Sequence, residues 1–348
     1  MSEAPDIVVA VDPHKASWSA VVADARHRVL GEIRVAASRD GYRELRRFAR
    51  PWPEARWAIE GVRGLGQPLA RRLVKDEIEV IDVPAKLAAR VRQLATGHGR
   101  KTDRVDAYSV AVAALTGTRR AHEWDDDAES LRLLSEHRDD LVRRRTQVVN
   151  RLHALLTHLV DGGAPRSLTA DIAARLLRKV RRPTGAAATR RQLALALIGE
   201  VRHLDHQVTA ADTSLTAAVK ESQTLLVELH GVGPVLAARI IGRCGAITRF
   251  KTSDHFASYC GTAPLEVSSG DVVRHRLSRA GDRQLNHALH IIALSQIRHG
   301  TQGRAYYDRK RAAGKGHREA MRCLKRRLAD VVYRTLTADY TAATLTTP

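Results

Sequence analysis

Two aspartates stand three residues apart, at Asp103 and Asp106, at the head of the apolar run DAYSVAVAAL. Residues i and i+3 share one face of a helix, so a helix starting here presents both carboxylates in one direction. Earlier in the chain, Asp12 closes the apolar run DIVVAVD and Glu60 closes RWAIE. Each lies at the carboxyl end of a strand candidate, where open α/β sheets gather their ligands. Four carboxylates brought together repel one another unless a counter-charge joins them. Mg²⁺ suits that role, because a hard cation takes oxygen ligands and leaves positions open for phosphate oxygens. Two such ions, about 3.5–4 Å apart, stabilise the attacking and leaving oxygens of an in-line phosphoryl displacement. The expectation is therefore catalysis by Asp12, Glu60, Asp103 and Asp106 around a pair of Mg²⁺ ions. A plainer role also stands: Asp103 as a helix N-cap and Asp106 as a first-turn acid favoured by the helix dipole.

The elements that must position these acids are legible as alternating apolar and polar runs. DIVVAVD, SWSAVVAD and VLGEIRVAA predict three strands, and DGYRELRRFAR a helix capped by Asp40. RWAIE, GQPLARRLVKD, IEVIDVP and AKLAARVRQL then predict strand, helix, strand and helix, the last with a basic face. That order is expected of an α/β ribonuclease H-like sheet with helices on its faces. The domain boundaries expected are 5–120 for this unit, 125–220 for a helical coiled-coil linker, and 221–335 for a mostly α C-terminal domain.

The chain has 348 residues, with 58 Lys+Arg against 38 Asp+Glu, a formal charge of +20. Such an excess points to a polyanionic partner, nucleic acid before others. The neighbouring Arg100, Lys101 and Arg104 are expected to meet phosphates rather than neutralise the acids. No run reaches the roughly 20 apolar residues that span a bilayer, so no membrane partner is expected. The opening MSEAPDIVVAVD lacks a basic region followed by a long apolar stretch. Cys244, Cys260 and Cys323 are dispersed and lack CxxC spacing, which suits a reducing cytoplasm.

From Asp127 to Val160, Leu134, Leu141, Val148 and Leu155 recur every seven residues, and Leu131, Leu152 and Leu159 fill the alternate seam. Arg138 and Arg145 interrupt it, leaving an intrachain hairpin and a dimerising coiled coil both open. Beyond Lys220, LLVELHGVGPVLAARII places Gly231 and Gly233 between apolar runs, the pattern of a helix-hairpin-helix that approaches phosphates through backbone N–H groups. APLEVSSGD then reads as a loop with adjacent serines, ahead of a basic stretch containing Arg276 and Arg279. By itself SSG is a turn signal. A serine hydroxyl attacks phosphorus once its proton is removed.

Taken in order, the N-terminal block, GRKTDRVDA, LHGVGPVLAARII and GTAPLEVSSG…LSRAGDRQL resemble the DEDD-type insertion-sequence transposases, the IS-one-ten family, over about residues 5 to 335. The resemblance implies a RuvC-like domain whose four acids map to Asp12, Glu60, Asp103 and Asp106, and a C-terminal transposase domain whose nucleophilic serine maps to Ser268, with Ser269 the alternative. It further implies a transient phosphoserine link to DNA and Mg²⁺ at the carboxylates. The partners implied are double-stranded donor and target DNA, a structured non-coding guide (bridge) RNA, and other copies of the chain in a dimer or tetramer. The chain departs from the family pattern at Val62, Arg63 and Leu65, at Gly270-Asp271, and at Gly281-Asp282. Two other classes stay open: a RuvC-like junction nuclease using water, and a non-catalytic organiser of nucleic acid.

Overall fold

The computed structural model describes residues 6–96, 103–117, 124–266, 275–277 and 281–346. The chain forms two compact units, Met1–Glu123 and Trp124–Pro348. The second holds both the expected linker and the expected C-terminal region.

The first unit runs β1 (Val8–Pro13), β2 (Ser17–Ala23), β3 (Val29–Ala36), α1 (Arg39–Phe48), β4 (Arg56–Glu60), α2 (Gln67–Lys75), β5 (Val80–Val83), α3 (Ala85–Thr96) and α4 (Asp103–Thr116). The sheet order is β3-β2-β1-β4-β5, with β2 antiparallel to both neighbours and β1, β4 and β5 parallel. The mixed sheet and the order of strands and helices along the chain are those expected from the sequence; the lateral order of the strands is set by their pairing. Strand side chains alternate between faces. Val8 and Ala10 of β1, Ala58 of β4, and Ile81 and Val83 of β5 form one apolar face. Against it pack Val110, Ala111 and Ala114 of α4, whose small side chains admit the helix close to the sheet. Asp12 and Glu60 fall on this same face by period two, at the ends of its rows. One local expectation needs correction: α1 is capped by Ser38, not Asp40. Ser38 is extended and its hydroxyl accepts from the Gly41 N–H, while Asp40 sits in the first turn.

The second unit comprises α5 (Asp126–Thr157), α6 (Ala170–Lys179), α7 (Gly185–Glu221), α8 (Pro234–Cys244), α9 (Ser253–Tyr259), a two-stranded hairpin of β6 (Pro264–Glu266) and β7 (His275–Leu277), α10 (Arg283–Arg298), α11 (Gln302–Ala312) and α12 (His317–Thr346). α5 packs lengthwise on α7. Arg138 pairs with Asp212 at 2.9 Å and Arg145 with Asp205, so numbers rising along one helix meet numbers falling along the other. The two arginines that interrupt the heptad seam therefore answer acids on an antiparallel neighbour in the same chain. Leu141, Val148, Leu152 and Leu156 share a core with α6 and the first half of α7. Leu131, with Leu215 and Val219 of α7, belongs instead to a second core built with α8, α9, α10 and α12. Among the described residues, no helix is long and apolar enough to cross a membrane.

The helix-hairpin-helix expectation is met on one side only. Before the GVG turn, Leu225–Glu228 is a single 3-10 turn, because α7 ends at Glu221 and Gln223 takes a left-handed φ of 51°. Gly231 has φ 90°, and a Cβ there would lie 2.8 Å from the Ser295 Cβ. Its missing side chain is thus required by packing on α10.

Candidate active site

The register of the sheet puts acids and their neighbours in a row. Asp12 lies opposite Ser19, and Ser19 opposite Arg34, so the three side chains leave the sheet on one face. On the other flank Val11 pairs with Ile59 in parallel, which brings Asp12 and Glu60 side by side as the next residues. α4 starts over the same end, with Asp103 and Asp106 both in its first turn. Asp12 is 7% exposed, Asp106 is 4% exposed, and Glu60 is half-buried. All four predicted acids therefore belong to one end of one face.

The charges that meet these carboxylates were not singled out in the sequence. Arg92 of α3 donates to Asp106. Arg34 reaches Asp103 at 2.9 Å, and its Nε and Nη2 also donate to the Ser17 hydroxyl. His14 Nε2 lies 3.5 Å from an Asp12 oxygen and 3.3 Å from an Asp103 oxygen. Its angles to them form no hydrogen bond, and the atom is buried without a partner. Ser19 Oγ, beside Asp12, is likewise buried and unmatched. The signals available were faint: His14 follows two residues after Asp12, and Arg92 was one cation on a basic helix. Arg104, expected at a phosphate, is two-thirds exposed and paired with Glu32 at 2.6 Å.

Four oxygen acids, two of them nearly fully buried, and two unmatched polar atoms make a donor set whose chemistry suits a hydrated hard dication. Among the described residues, no three acid, histidine or cysteine side chains are gathered tightly enough to hold one ion. His14 and the arginines stand instead between the carboxylates. Ion binding here requires those side chains to turn aside.

In the second unit, Gly233 lies at the start of α8 in open space, with no atom within 4 Å of where a Cβ would be. Arg276 sits on β7 opposite Leu265. Arg100, Lys101, Ser268, Ser269 and Arg279 lie outside the described residues.

The root of the β6–β7 hairpin is held closely. The Asp282 N–H donates to the Tyr259 carbonyl at 2.7 Å, and the Asp282 carboxylate caps α10 by accepting from the Gln284 and Leu285 N–H groups. Asn286 donates to the carbonyls of Cys260 and Gly261 at 2.9 and 3.0 Å, and accepts from Lys325, which is 8% exposed. Burial pushes the Lys325 ammonium below the usual lysine range. A Cβ on Gly281 would sit 2.2 Å from the Gly261 nitrogen. Gly281→Ala is therefore expected to cost about 3 kcal/mol, read as a lower urea midpoint. An unchanged midpoint would show that the root yields easily.

A family model described as a transposase, of the DEDD IS110 type, matches residues 9–160. A second, described as the transposase IS116/IS110/IS902 family, matches residues 223–308. The 44.8 kDa protein of insertion element IS116 from Streptomyces clavuligerus is 28% identical, covering 94% of each chain. The 42 kDa protein of insertion element IS900 from Mycobacterium paratuberculosis is also 28% identical, covering 84% of this chain and 86% of its own. Among solved structures, Thermus thermophilus RuvC is similar at 15% identity and a TM-score of 0.26, covering 33% of this chain and 99% of RuvC. Both family models name the same group and together span well over half of the residues, so the chain belongs to the IS116/IS110/IS902 family of insertion-element transposases.

Proposed function

We propose that this transposase excises and inserts its element by Mg²⁺-assisted attack of Ser268 on DNA phosphodiesters, through a transient phosphoserine link. The observation that carries the reading is the pair of nearly buried carboxylates, Asp12 and Asp106, at one end of the sheet face with Glu60 and Asp103 beside them. These four would hold the magnesium. When bound, the metal supplies positive charge that offsets the phosphate oxygens and the developing negative charge.

The chain's own groups do the rest. As the Ser268 Oγ–P bond forms, one DNA P–O bond breaks, leaving a free DNA hydroxyl. The serine proton is released and the leaving oxygen gains one. Because one phosphoester replaces another, no ATP is required. Arg34 and Arg92, displaced from Asp103 and Asp106, become available to phosphate oxygens. Arg100, Lys101, Arg104, Arg276 and Arg279, with the backbone at Gly231 and Gly233, contribute further contacts along the DNA. A structured guide RNA pairing with donor and target DNA fits the formal charge of +20. Joining two DNAs favours a dimer or tetramer.

The test is a denaturing gel after incubation with element-end DNA and Mg²⁺. A protein–DNA adduct is expected from the natural sequence and none from the Ser268→Ala, Ser269→Ala double variant. Cleavage without any adduct would transfer the chemistry to water, and an adduct persisting in the double variant would remove the serine from it. Sequencing of co-purifying RNA tests the guide: a discrete transcript flanking the gene is expected, and random host RNA would overturn it.

A further inference from the structure

Between Asp171 and Glu200 the chain carries seven Lys or Arg residues and no acid. The fold gathers four of them where α6 turns into α7. Arg178 ends α6, Arg181 and Arg182 lie in the connection, and Arg191 stands in the second turn of α7; with Val180 and Pro183 they line an open hollow of about 730 Å³. None of the four arginines pairs with an acid among the described residues, although arginines elsewhere in this unit are widely paired. Arg191 Nε is buried and has no hydrogen-bond partner. Arg182 is held at φ 44°, in the left-handed region that a non-glycine residue rarely enters. The α7 N-terminus opens beside them, and its cap residue Thr184 makes no side-chain bond to the free N–H groups.

Four unpaired guanidinium forks and an uncapped helix start converge on one hollow. Their donors match phosphate oxygens, and no acid among the described residues pairs with them. The hollow is too large and open for a single phosphate ion. No aromatic side chain lines it, so it offers no stacking platform for single-stranded bases. We infer that this helical tip of the second unit is a clamp for the phosphodiester backbone of duplex DNA. The inference rests on membership in a transposase family, and needs neither the Mg²⁺ nor the serine step.

The experiment compares two double variants of equal charge change in the full chain: Arg178→Gln, Arg191→Gln at the tip, and Arg144→Gln, Arg151→Gln at exposed positions of α5. Binding to a labelled DNA duplex is measured by fluorescence anisotropy across a salt series, without Mg²⁺, in a Ser268→Ala background. The tip variant should lose roughly tenfold in affinity, with its log–log salt slope smaller by about 1–2, because each lost phosphate contact removes ~0.9. The α5 variant should keep the slope. Thermal unfolding of both variants should match the parent. Equal losses in the two variants would reduce the clamp to delocalised charge. A tip variant that weakens binding of a structured RNA but not of the duplex would overturn DNA as the occupant. Since no strand is cut, loss of the serine or metal reading leaves this outcome unaffected.

Discussion

Asp106→Asn is expected to lower DNA strand transfer by about 10²–10³-fold, the scale lost when one preorganised electrostatic group is removed from an active site. The substitution keeps shape and removes charge from a side chain that is 4% exposed. Its effect on stability should be small. Arg92, a quarter exposed, turns toward water, and the repulsion among the remaining acids falls. The two readouts therefore separate. Strand transfer measured in single turnover should collapse while the melting temperature in chelator stays within a few degrees. Magnesium gives a further check. Because an ion that binds only the folded chain stabilises it by mass action, added Mg²⁺ should raise the melting temperature of the natural protein. That rise should vanish in Asp106→Asn. Strand transfer within threefold of the parent, with the magnesium effect intact, would sink the assignment of Asp106 as a ligand.

Asn286→Leu is expected to destabilise the second unit by about 3 kcal/mol, the upper end of what a buried polar group costs when it loses its hydrogen-bond partner, because one of the groups left is an ammonium. The leucine is close in size but cannot bond. Lys325 loses its acceptor, and the Cys260 and Gly261 carbonyls lose their donors, at the root of the hairpin that precedes α10. The pH dependence carries a signature. Burial lowers the folded pKa of Lys325 below 10.5, so between the two values the unfolded chain binds more protons. Stability should then rise with pH through that window, because the penalty for burying the ammonium is full below the folded pKa and fades above it. Urea unfolding should show this rise in the natural protein, a steeper one in Asn286→Leu, and none from this group in Lys325→Met. A loss below about 1 kcal/mol in Asn286→Leu, independent of pH, would show that Lys325 reaches water.

Much of the first unit was written in short-range pattern. Short apolar, β-branched runs marked β1 to β5 in order, and the acids ending DIVVAVD and RWAIE had to fall on the face of the apolar residues two places before them. The three-residue spacing of Asp103 and Asp106 put both on one helix face. Such features depend on neighbours a few residues away, which a sequence displays directly.

The rest depended on pairs far apart in the chain. Arg34 meeting Asp103, Arg92 meeting Asp106 and His14 standing between two acids follow from sheet register and from how α3 and α4 cross it. The same holds for Arg145 and Asp205, which resolve the interrupted heptad as a hairpin within one chain. At Gly231 the sequence displayed a turn glycine, and only the fold showed that Ser295 fills the space a side chain there would need. Thus the sequence by itself determined the succession of strands and helices, the acids at the strand ends and the family. Only the tertiary structure decided which cations answer those acids and which remain free, because charge pairing depends on distances of a few ångströms that folding sets between distant residues.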